Sequence, residues 1–310
     1  MRIHFFDQAL LPHFNKAIVT VGSFDGVHKG HVEIIRQMKA LAQRVGGETV
    51  LVSFHPHPRK IIGSVPGDIK LLNTQEEKNK LLAAAGVDHL VIVPFNHHFA
   101  NQSAADYVQS FLYPSFLPHT VVLGYDHRFG KERKGDYQLM ESMGAALGFA
   151  VTEIDETLWA DAAISSTRVR KALLENELKT ATELLGYSYF FTGTVVRGNQ
   201  LGRTLGFPTA NLHIASEEKL IPGNGVYAVH VALADGRQKK GMMNIGVRPT
   251  VDGKKRVIEV NLFDFDEEIY GMELAVSLQS FIRGEIKFDG LDALKTQLSK
   301  DRTAAFLLLS

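Results

Sequence analysis

The order in which strand-like and helix-like segments follow one another constrains this fold more than any other feature of the sequence. Up to about Gly186, short apolar segments rich in Val, Ile, Leu or Phe alternate with amphipathic ones. The predicted strands of this part are residues 17–21, 48–54, 89–94, 120–124 and 150–154. Because strands that alternate with helices usually pair in parallel, the sequence predicts an α/β fold of Rossmann type, with ligands bound outside the carboxyl ends of the strands.

After Gly186 the alternation with helices ends. The predicted strands then follow one another through turn-rich links, at residues 190–197, 209–214, 226–233, 240–247, 256–265 and 273–281. This succession predicts an antiparallel β-barrel or sandwich, closed by one terminal helix whose apolar side carries Leu291, Leu294, Leu298 and Ala305. At 310 residues the chain is long for one core. We therefore expect two domains, residues 1–186 and 187–310.

Composition narrows the classes of partner. The 34 Lys and Arg residues balance the 34 Asp and Glu residues, so neither nucleic acid nor a membrane surface is the expected partner. The absence of cysteine excludes disulfides, thiolate zinc sites and Cys nucleophiles. No apolar run approaches the length of a bilayer span, and the N-terminus lacks a secretory pattern. We expect a cytoplasmic protein that binds small molecules; its oligomeric state stays open.

A loop at residues 22–31 joins the first predicted strand to the first predicted helix. Gly22, Gly26 and Gly30 allow tight turns and close approach to a ligand, while His31 lies at the predicted helix start. Helix N-termini favour anionic oxygens, and His28 and His31 can donate hydrogen bonds to a phosphate. The loop predicts a nucleotide phosphate site. A tight turn with two surface histidines is the alternative.

Several motifs in order make the chain resemble the bacterial bifunctional riboflavin kinase/FMN adenylyltransferases, also called FAD synthetases. The resemblance covers nearly the whole length. Its motifs are residues 22–31, 54–58, 95–96 with 99–100, 124–130, 164–168, 202–212, 244–250 and 259–265. It implies an N-terminal nucleotidyltransferase domain that joins FMN to the AMP part of ATP, and a C-terminal barrel that phosphorylates riboflavin with ATP. Mg²⁺ is the implied cofactor of both reactions.

For adenylyl transfer, the resemblance implies that His28 and His31 act at the α-phosphate and the departing pyrophosphate. Arg168, the third implied catalytic residue of this site, follows a Ser-Ser-Thr segment that would clamp the outer phosphates. The remaining residues of the implied ATP site are Gly22, Phe24, Asp25, Gly26, Asp126, Ser165, Ser166 and Thr167. Without the resemblance, this Ser-Ser-Thr segment would be an ordinary helix N-cap.

The flavin of the first domain needs an apolar slot with a few polar contacts. The implied residues lie at the ends of predicted strands and are Phe54, Pro56, Pro58, Phe95 and Asn96. His55 stands where the family usually carries Asp. His55 and His57 share a face, but without a third ligand we assign them no zinc.

The second domain is predicted to carry the kinase site. Thr209 and Asn211 point to one side of an extended strand and offer neutral oxygens to Mg²⁺, with Gly202 nearby as an ATP-binding residue. Glu259 lies opposite the apolar side chains of its strand and would take the proton of the riboflavin hydroxyl. Solvated strand faces are the alternative for both positions.

Two further features complete the kinase prediction. Arg283 resembles the residue that meets the flavin or its new phosphate, whereas Asn261 stands where relatives often carry His and receives no catalytic role. Residues 198–204 approach a P-loop pattern but lack its Lys, so no Walker-type site is predicted.

Two other functions remain open at this point. The change at His55 makes the adenylyltransferase the half that could have been lost, which would leave riboflavin kinase alone. A non-catalytic flavin or nucleotide sensor would retain both pockets without turnover.

Overall fold

The structure is a computed structural model that describes residues 1–7, 10–62, 69–125, 127–154, 164–198, 201–250 and 253–310. The side chains of residues 201, 248–250 and 253–255 are outside this description. The chain forms two compact units. The first contains Met1–Lys70 and Gln75–Ser165, and the second contains Leu71–Thr74 and Ser166–Ser310.

A six-stranded parallel sheet forms the centre of the first unit, which confirms the predicted α/β class. Its spatial order is β1-β4-β3-β2-β5-β6. The strands are β1 (Arg2–Phe5), β2 (Ile18–Val21), β3 (Thr49–His55), β4 (His89–Pro94), β5 (Thr120–Leu123) and β6 (Ala150–Glu153). Strand β2 therefore has β3 on one side and β5 on the other.

Both faces of the four central strands β4, β3, β2 and β5 are buried, as expected for parallel strands covered by helices, whereas the edge strands β1 and β6 are partly exposed. Val19, Val50 and Val91 belong to one core, whereas their neighbours Ile18, Leu51 and Leu90 belong to cores on the opposite face. The helices of this unit are α1 (Lys29–Val45), α2 (Pro58–Ile62), α3 (Gln75–Ala84), α4 (His97–Ala100), α5 (Ala104–Asp106), α6 (Tyr113–Phe116) and α7 (Tyr137–Leu147). A π-helical segment at Tyr107–Leu112 joins α5 to α6, and a 3₁₀ turn lies at Lys131–Arg133.

The second unit contains a closed six-stranded barrel in which every pair is antiparallel. This confirms the barrel that the second half of the sequence predicts. Its order is β10-β11-β8-β7-β12-β9, closed by the pairing of β10 with β9. The strands are β7 (Phe190–Val196), β8 (Ala210–His213), β9 (Gly225–Leu233), β10 (Gln238–Thr250), β11 (Gly253–Leu262) and β12 (Glu273–Arg283).

Four helices accompany the barrel in the described part of the second unit, namely α8 (Ser166–Leu174), α9 (Leu178–Leu185), α10 (Leu201–Thr204) and α11 (Leu291–Leu308). The terminal helix α11 packs Leu294, Leu298 and Ala305 into a core with Met242 of the barrel, as predicted. Leu291 is 55% exposed and takes no part in that core. The first turn of α11 therefore projects beyond the apolar contact.

The predicted elements differ from the structure in several places, and three of these differences follow. The edge strand β1 is absent from the prediction because polar Arg2 and His4 interrupt its short apolar pattern. Helix α1 begins at Lys29 instead of His31, which makes His28 its N-cap. The β10–β11 hairpin is longer than predicted and pairs from Gly241 with Leu262 to Thr250 with Gly253.

Candidate active sites

The loop after β2 lies where the order of the parallel sheet reverses. The connection after β2 leads through α1 to β3 on one side, whereas β5 occupies the other side. Ligands of open α/β sheets bind in the crevice at such a reversal, outside the carboxyl ends of the strands. The topology therefore places residues 22–31 where a nucleotide is expected.

The backbone of this loop curves sharply between β2 and α1. Phe24, Gly26 and Val27 have φ values of +49°, +85° and +34°, in the left-handed region that side chains disfavour. The Val27 N–H donates to the Phe24 carbonyl at 3.3 Å. The conformational freedom of glycine is thus used at Gly26, whereas Gly30 lies within the first turn of α1.

The two histidines of the loop form a stacked pair at the start of α1. Their ring centroids are 3.7 Å apart at an interplanar angle of 14°, and the Phe24 ring lies 4.8 Å from that of His31. Phe24 itself is 2% exposed and packs in the core beneath the loop. The His31 Nδ1 atom is buried and has no hydrogen-bond partner among the described residues. A ligand oxygen would satisfy that nitrogen.

Burial holds the pKa of His31 well below its usual value, and the nearby groups His28 and Lys78 lower it further. His31 is therefore neutral at neutral pH before a ligand binds. A neutral imidazole still donates one N–H, and an approaching polyphosphate would favour the protonated form. The pair can respond to negative charge that develops on a phosphate.

The predicted site lacks a buried lysine that lies beside this loop. Lys78 of α3 is 8% exposed, and its Nζ donates to Ser53 Oγ at 3.0 Å and to the Ser23 carbonyl at 3.3 Å. Its charge acts on His31. The available signal was its position four residues before Leu82, on the face of α3 that the apolar pattern predicts to be buried.

The predicted Ser-Ser-Thr-Arg segment does begin a helix. Ser165 precedes α8, and Ser166, Thr167 and Arg168 form its first turn, with Arg168 exposed to solvent. Backbone N–H groups of a first turn and a guanidinium are suited to phosphate oxygens. Asp126, the remaining residue of the predicted ATP site, lies outside the described residues.

Aromatic side chains meet at the carboxyl ends of β3 and β4, where the flavin slot is predicted. The ring centroid of Phe54 lies 5.3 Å from that of Phe95 and 5.5 Å from that of Phe99. Asn96 Oδ1 accepts a hydrogen bond from the Phe99 N–H at 2.9 Å and so caps α4. Pro56 and Pro58 are half-buried nearby in sequence, and Pro58 begins α2. Phe99, which is not among the predicted flavin-binding residues, packs against both Phe54 and Phe95 and so forms part of the same aromatic cluster.

A second candidate site lies against the barrel, in a cavity of about 230 Å³. It brings together Gly202, Thr209, Glu259 and Arg283, which the sequence predicts for the kinase site, whereas the predicted residue Asn211 is not among those that line it. Its apolar wall includes Phe207, Met242, Ile286, Phe288, Leu294 and Leu298. The last four of these follow β12 or lie on α11, and the predicted site contained none of these six side chains.

The register of the barrel strands explains why the polar residues converge. Glu259 of β11 pairs with Asn211 of β8 on one side and with Asn244 of β10 on the other. Side chains that face each other across antiparallel strands project from the same face. The predicted separation of Glu259 from its apolar neighbours is confirmed, because Ile258 and Val260 are buried in the opposite direction.

Asn261 organises the segment that carries Thr209. Its Nδ2 donates to the Pro208 carbonyl at 2.7 Å, and the side chain is 5% exposed. A Cβ at Gly202 would collide with the Phe207 carbonyl and approach Thr209 Oγ1 to 3.3 Å. The chain therefore needs glycine at position 202, where its backbone passes close to Thr209.

Arg283 is held in place by a buried carboxylate. Its Nε and Nη2 donate to the two Asp301 oxygens at 2.9 and 2.6 Å, and Asp301 is 1% exposed. Gln297 Nε2 donates to the same carboxylate at 2.8 Å. One edge of the guanidinium is thus committed to α11, so a ligand can meet only the remaining N–H groups.

Comparison with known protein families gives one match in each half of the chain. The FAD synthetase family model matches residues 11–168, and the riboflavin kinase family model matches residues 185–309. In the part of the chain that the structure describes, no helix is both long and apolar enough to span a bilayer.

Individual relatives match over nearly the full length. The bifunctional riboflavin kinase/FMN adenylyltransferase of Listeria monocytogenes is 40% identical and aligns over 93% of this chain and 92% of its own. The protein of the same description from Escherichia coli K12 is 35% identical over 93% and 91%. A crystal structure from Streptococcus pneumoniae, titled a macrolide-efflux protein, has a TM-score of 0.85 and 30% identity over 98% of both chains.

Proposed function

This chain belongs to the family of bifunctional riboflavin kinase/FMN adenylyltransferases, and from that membership we propose how its residues divide the two reactions. The protein phosphorylates riboflavin with ATP to give FMN, and it joins FMN to the AMP part of ATP to give FAD. The single-activity alternative rests on the change at His55 alone, whereas both catalytic family models match and the relatives carry both activities in their names. The sensor alternative is disfavoured by the same matches.

We assign adenylyl transfer to residues 1–186 and phosphorylation to residues 187–310. The parallel sheet with its loop after β2 supports the first assignment, and the barrel cavity supports the second. The compact units divide between Ser165 and Ser166, so α8 and α9 fold with the barrel unit. In our assignment the Ser-Ser-Thr-Arg turn nevertheless serves adenylyl transfer.

In adenylyl transfer, an oxygen of the FMN phosphate forms a bond to the α-phosphorus of ATP while the bond to pyrophosphate breaks. No protein nucleophile is needed, so the protein must hold two polyanions and stabilise developing charge. The stacked pair of His28 and His31 at the N-terminus of α1 is the observation that carries this assignment. Arg168 completes the proposed catalytic set from the first turn of α8.

The rest of the ATP site is proposed from the same loop and from α8. The residues are Gly22, Phe24, Asp25, Gly26, Asp126, Ser165, Ser166 and Thr167. Phe24 would act through the His31 ring that it contacts, since its own side chain is buried. FMN would lie against the aromatic cluster of Phe54 and Phe95, with Pro56, Pro58 and Asn96 at its border.

In phosphorylation, Glu259 takes the proton of the riboflavin 5′-hydroxyl as its oxygen bonds to the γ-phosphorus and ADP leaves. The placement of Glu259 on the cavity wall, opposite Asn211 in register, is the observation that carries this proposal. Such a base contributes about 10²–10⁴-fold to a rate. Gly202 lets the chain pass close to Phe207 and Thr209 and so keeps Thr209 in place beside the proposed ATP. Arg283 would present to the flavin or its new phosphate the N–H groups that it donates neither to Asp301 nor to the Gly284 carbonyl.

Thr209 and Asn211 fit Mg²⁺ by the chemistry of their donors. Both side chains offer neutral oxygens, and Mg²⁺ combines few protein ligands with nucleotide phosphates and water. When bound, the ion would offset phosphate charge. Because ATP is consumed in both reactions, we place the protein in the cytoplasm.

Paired variants test this division of labour. Replacing His31 by Ala is expected to abolish FAD formation from supplied FMN while riboflavin is still phosphorylated. Asn211→Ala is expected to give the reverse pattern. Chromatography of riboflavin, FMN and FAD over time measures both reactions in one sample. Loss of both activities in a folded variant would contradict the assignment.

A further inference from the structure

Lys78 occupies a position where an apolar side chain would be the ordinary choice. It lies one helical turn before Leu82, which is fully buried in the core beneath the sheet. Removing an ammonium from water is costly unless good partners replace the water. A lysine at this depth therefore indicates that its ammonium makes specific polar contacts.

The partners of Lys78 connect the loop to the sheet. Its Nζ donates to Ser53 Oγ in β3 and to the Ser23 carbonyl in the loop, at 3.0 and 3.3 Å. Ser53 Oγ in turn donates to the same Ser23 carbonyl at 3.3 Å. One ammonium and one hydroxyl therefore fix the carbonyl of the residue that directly precedes the curved segment of the loop.

The charge of Lys78 also reaches the groups of the site. Asp25 favours its protonated form, and Lys78 disfavours protonation of His31. The groups that face the ammonium are thus Asp25 and the Ser23 carbonyl from the loop, Ser53 from β3 and His31 from α1. A fixed positive charge at this place favours the binding of polyphosphate.

We infer that Lys78 is a positioning residue for adenylyl transfer, whose buried ammonium anchors the phosphate loop to β3 through Ser23 and Ser53 and provides a fixed positive charge beside it. The inference rests on the proposed assignment of residues 22–31 to ATP. The proposed role of Lys78 is confined to the first unit, so phosphorylation of riboflavin should not depend on it.

The state of the ammonium gives the proposal a pH signature. Burial lowers the pKa of Lys78 to about 8, against the opposing effect of Asp25. The kcat/KM for ATP in adenylyl transfer reports groups of the free enzyme, so it should fall as the pH rises through about 8. Ser53→Ala removes one acceptor from the ammonium, which should shift this fall to lower pH.

The experiment measures kcat/KM for ATP against pH with FMN supplied, in full-length protein. Lys78→Met is expected to lower the value by about 10–100-fold, as misplacement of reacting groups does, and to remove the fall near pH 8. Lys80→Met, an exposed lysine of the same helix, is the matched control and should behave as the parent protein. Riboflavin phosphorylation should be equal in all variants.

Each outcome separates this inference from the assignment of the loop. If His31→Ala abolishes adenylyl transfer but Lys78→Met leaves both the rate and the pH profile unchanged, Lys78 has no such role. If His31→Ala has no effect, the assignment of the loop itself fails. Should Lys78→Met not fold, Ser53→Ala decides, because an unshifted pH profile in that variant would overturn the proposal.

Discussion

The two units place their phosphate-handling side chains by different physical means. In the first, a loop with positive φ at Phe24, Gly26 and Val27 presents stacked histidines at the start of a helix. In the second, Glu259 converges with neighbours because the register of antiparallel strands puts them on one face. The first arrangement depends on the backbone of single residues, whereas the second depends on the pairing of whole strands. Single substitutions should therefore act on the two sites differently.

The largest effect is expected where a side chain changes without any change in the strands that carry it. Glu259→Gln should lower the kcat of riboflavin phosphorylation by about 10²–10⁴-fold, because the amide cannot accept the proton. FAD formation from supplied FMN should stay unchanged. Glu273→Gln, an exposed position at the start of β12, serves as control. A similar loss in both variants would show that the barrel, and not the carboxylate, had been disturbed.

The reverse case is a backbone change in the first unit. Gly26→Ala should cost about 1–2 kcal/mol of stability and lower the rate of FAD formation by about 10–100-fold, since the curved loop no longer presents its histidines correctly. Gly148→Ala provides the match, because Gly148 has a φ of +83°, close to the +85° of Gly26, but ends α7 with open space around it.

Thermal unfolding and FAD formation measure the two parts of this prediction separately. Both glycine variants should lose similar stability, and only Gly26→Ala should lose activity. Equal activity in the two proteins would mean that the loop tolerates a change of its curvature.

A smaller effect is expected at the residue that supports Thr209. Asn261→Leu removes the hydrogen bond to the Pro208 carbonyl and should raise the KM for ATP in phosphorylation by about tenfold, corresponding to one hydrogen bond. Asn261→His keeps a ring N–H donor and should recover part of that loss. Steady-state kinetics of both variants test the point; an unchanged KM in Asn261→Leu would show that the bond does not position Thr209.

The smallest effect concerns stability and pH. The pKa of His31 is lowered in the folded protein, so the unfolded chain binds more protons as the pH falls through the ordinary histidine value of about 6.5. Folding stability is then lost toward acid pH, by at most about 1.4 kcal/mol per pH unit from this group. His31→Phe should flatten that dependence in urea unfolding between about pH 6.5 and 5.5. An equal slope in parent and variant would contradict the prediction.

The sequence predicted those parts of the molecule that depend on local periodicity. Alternating segments gave the parallel sheet, and the period of two along β11 separated Glu259 from Ile258 and Val260 correctly. The edge strand β1 was missed because it is short and only partly apolar. Helix α1 was placed two residues late because His28 caps it without a typical capping side chain.

Residues whose role depends on distant partners could not be predicted in this way. Lys78 meets Ser53 and Ser23 across 25 and 55 residues of chain. Asp301, which lies 18 residues after Arg283 on the terminal helix α11, holds the Arg283 guanidinium. For Lys78 and Asp301 the local pattern shows only a charged residue on a helix. The group that each one contacts becomes known only from the three-dimensional structure.

The pairing of β10 with β11 limits how this chain can change in length. Successive residues of a strand point to opposite faces, so deleting one residue between Gly253 and Glu259 would turn the carboxylate away from the cavity. Deleting two residues would return the carboxylate to the cavity face but would shift its pairing partner along β10 by two residues. Insertions and deletions outside the paired residues of these strands are free of this restriction, and variation in length among homologous chains should concentrate there.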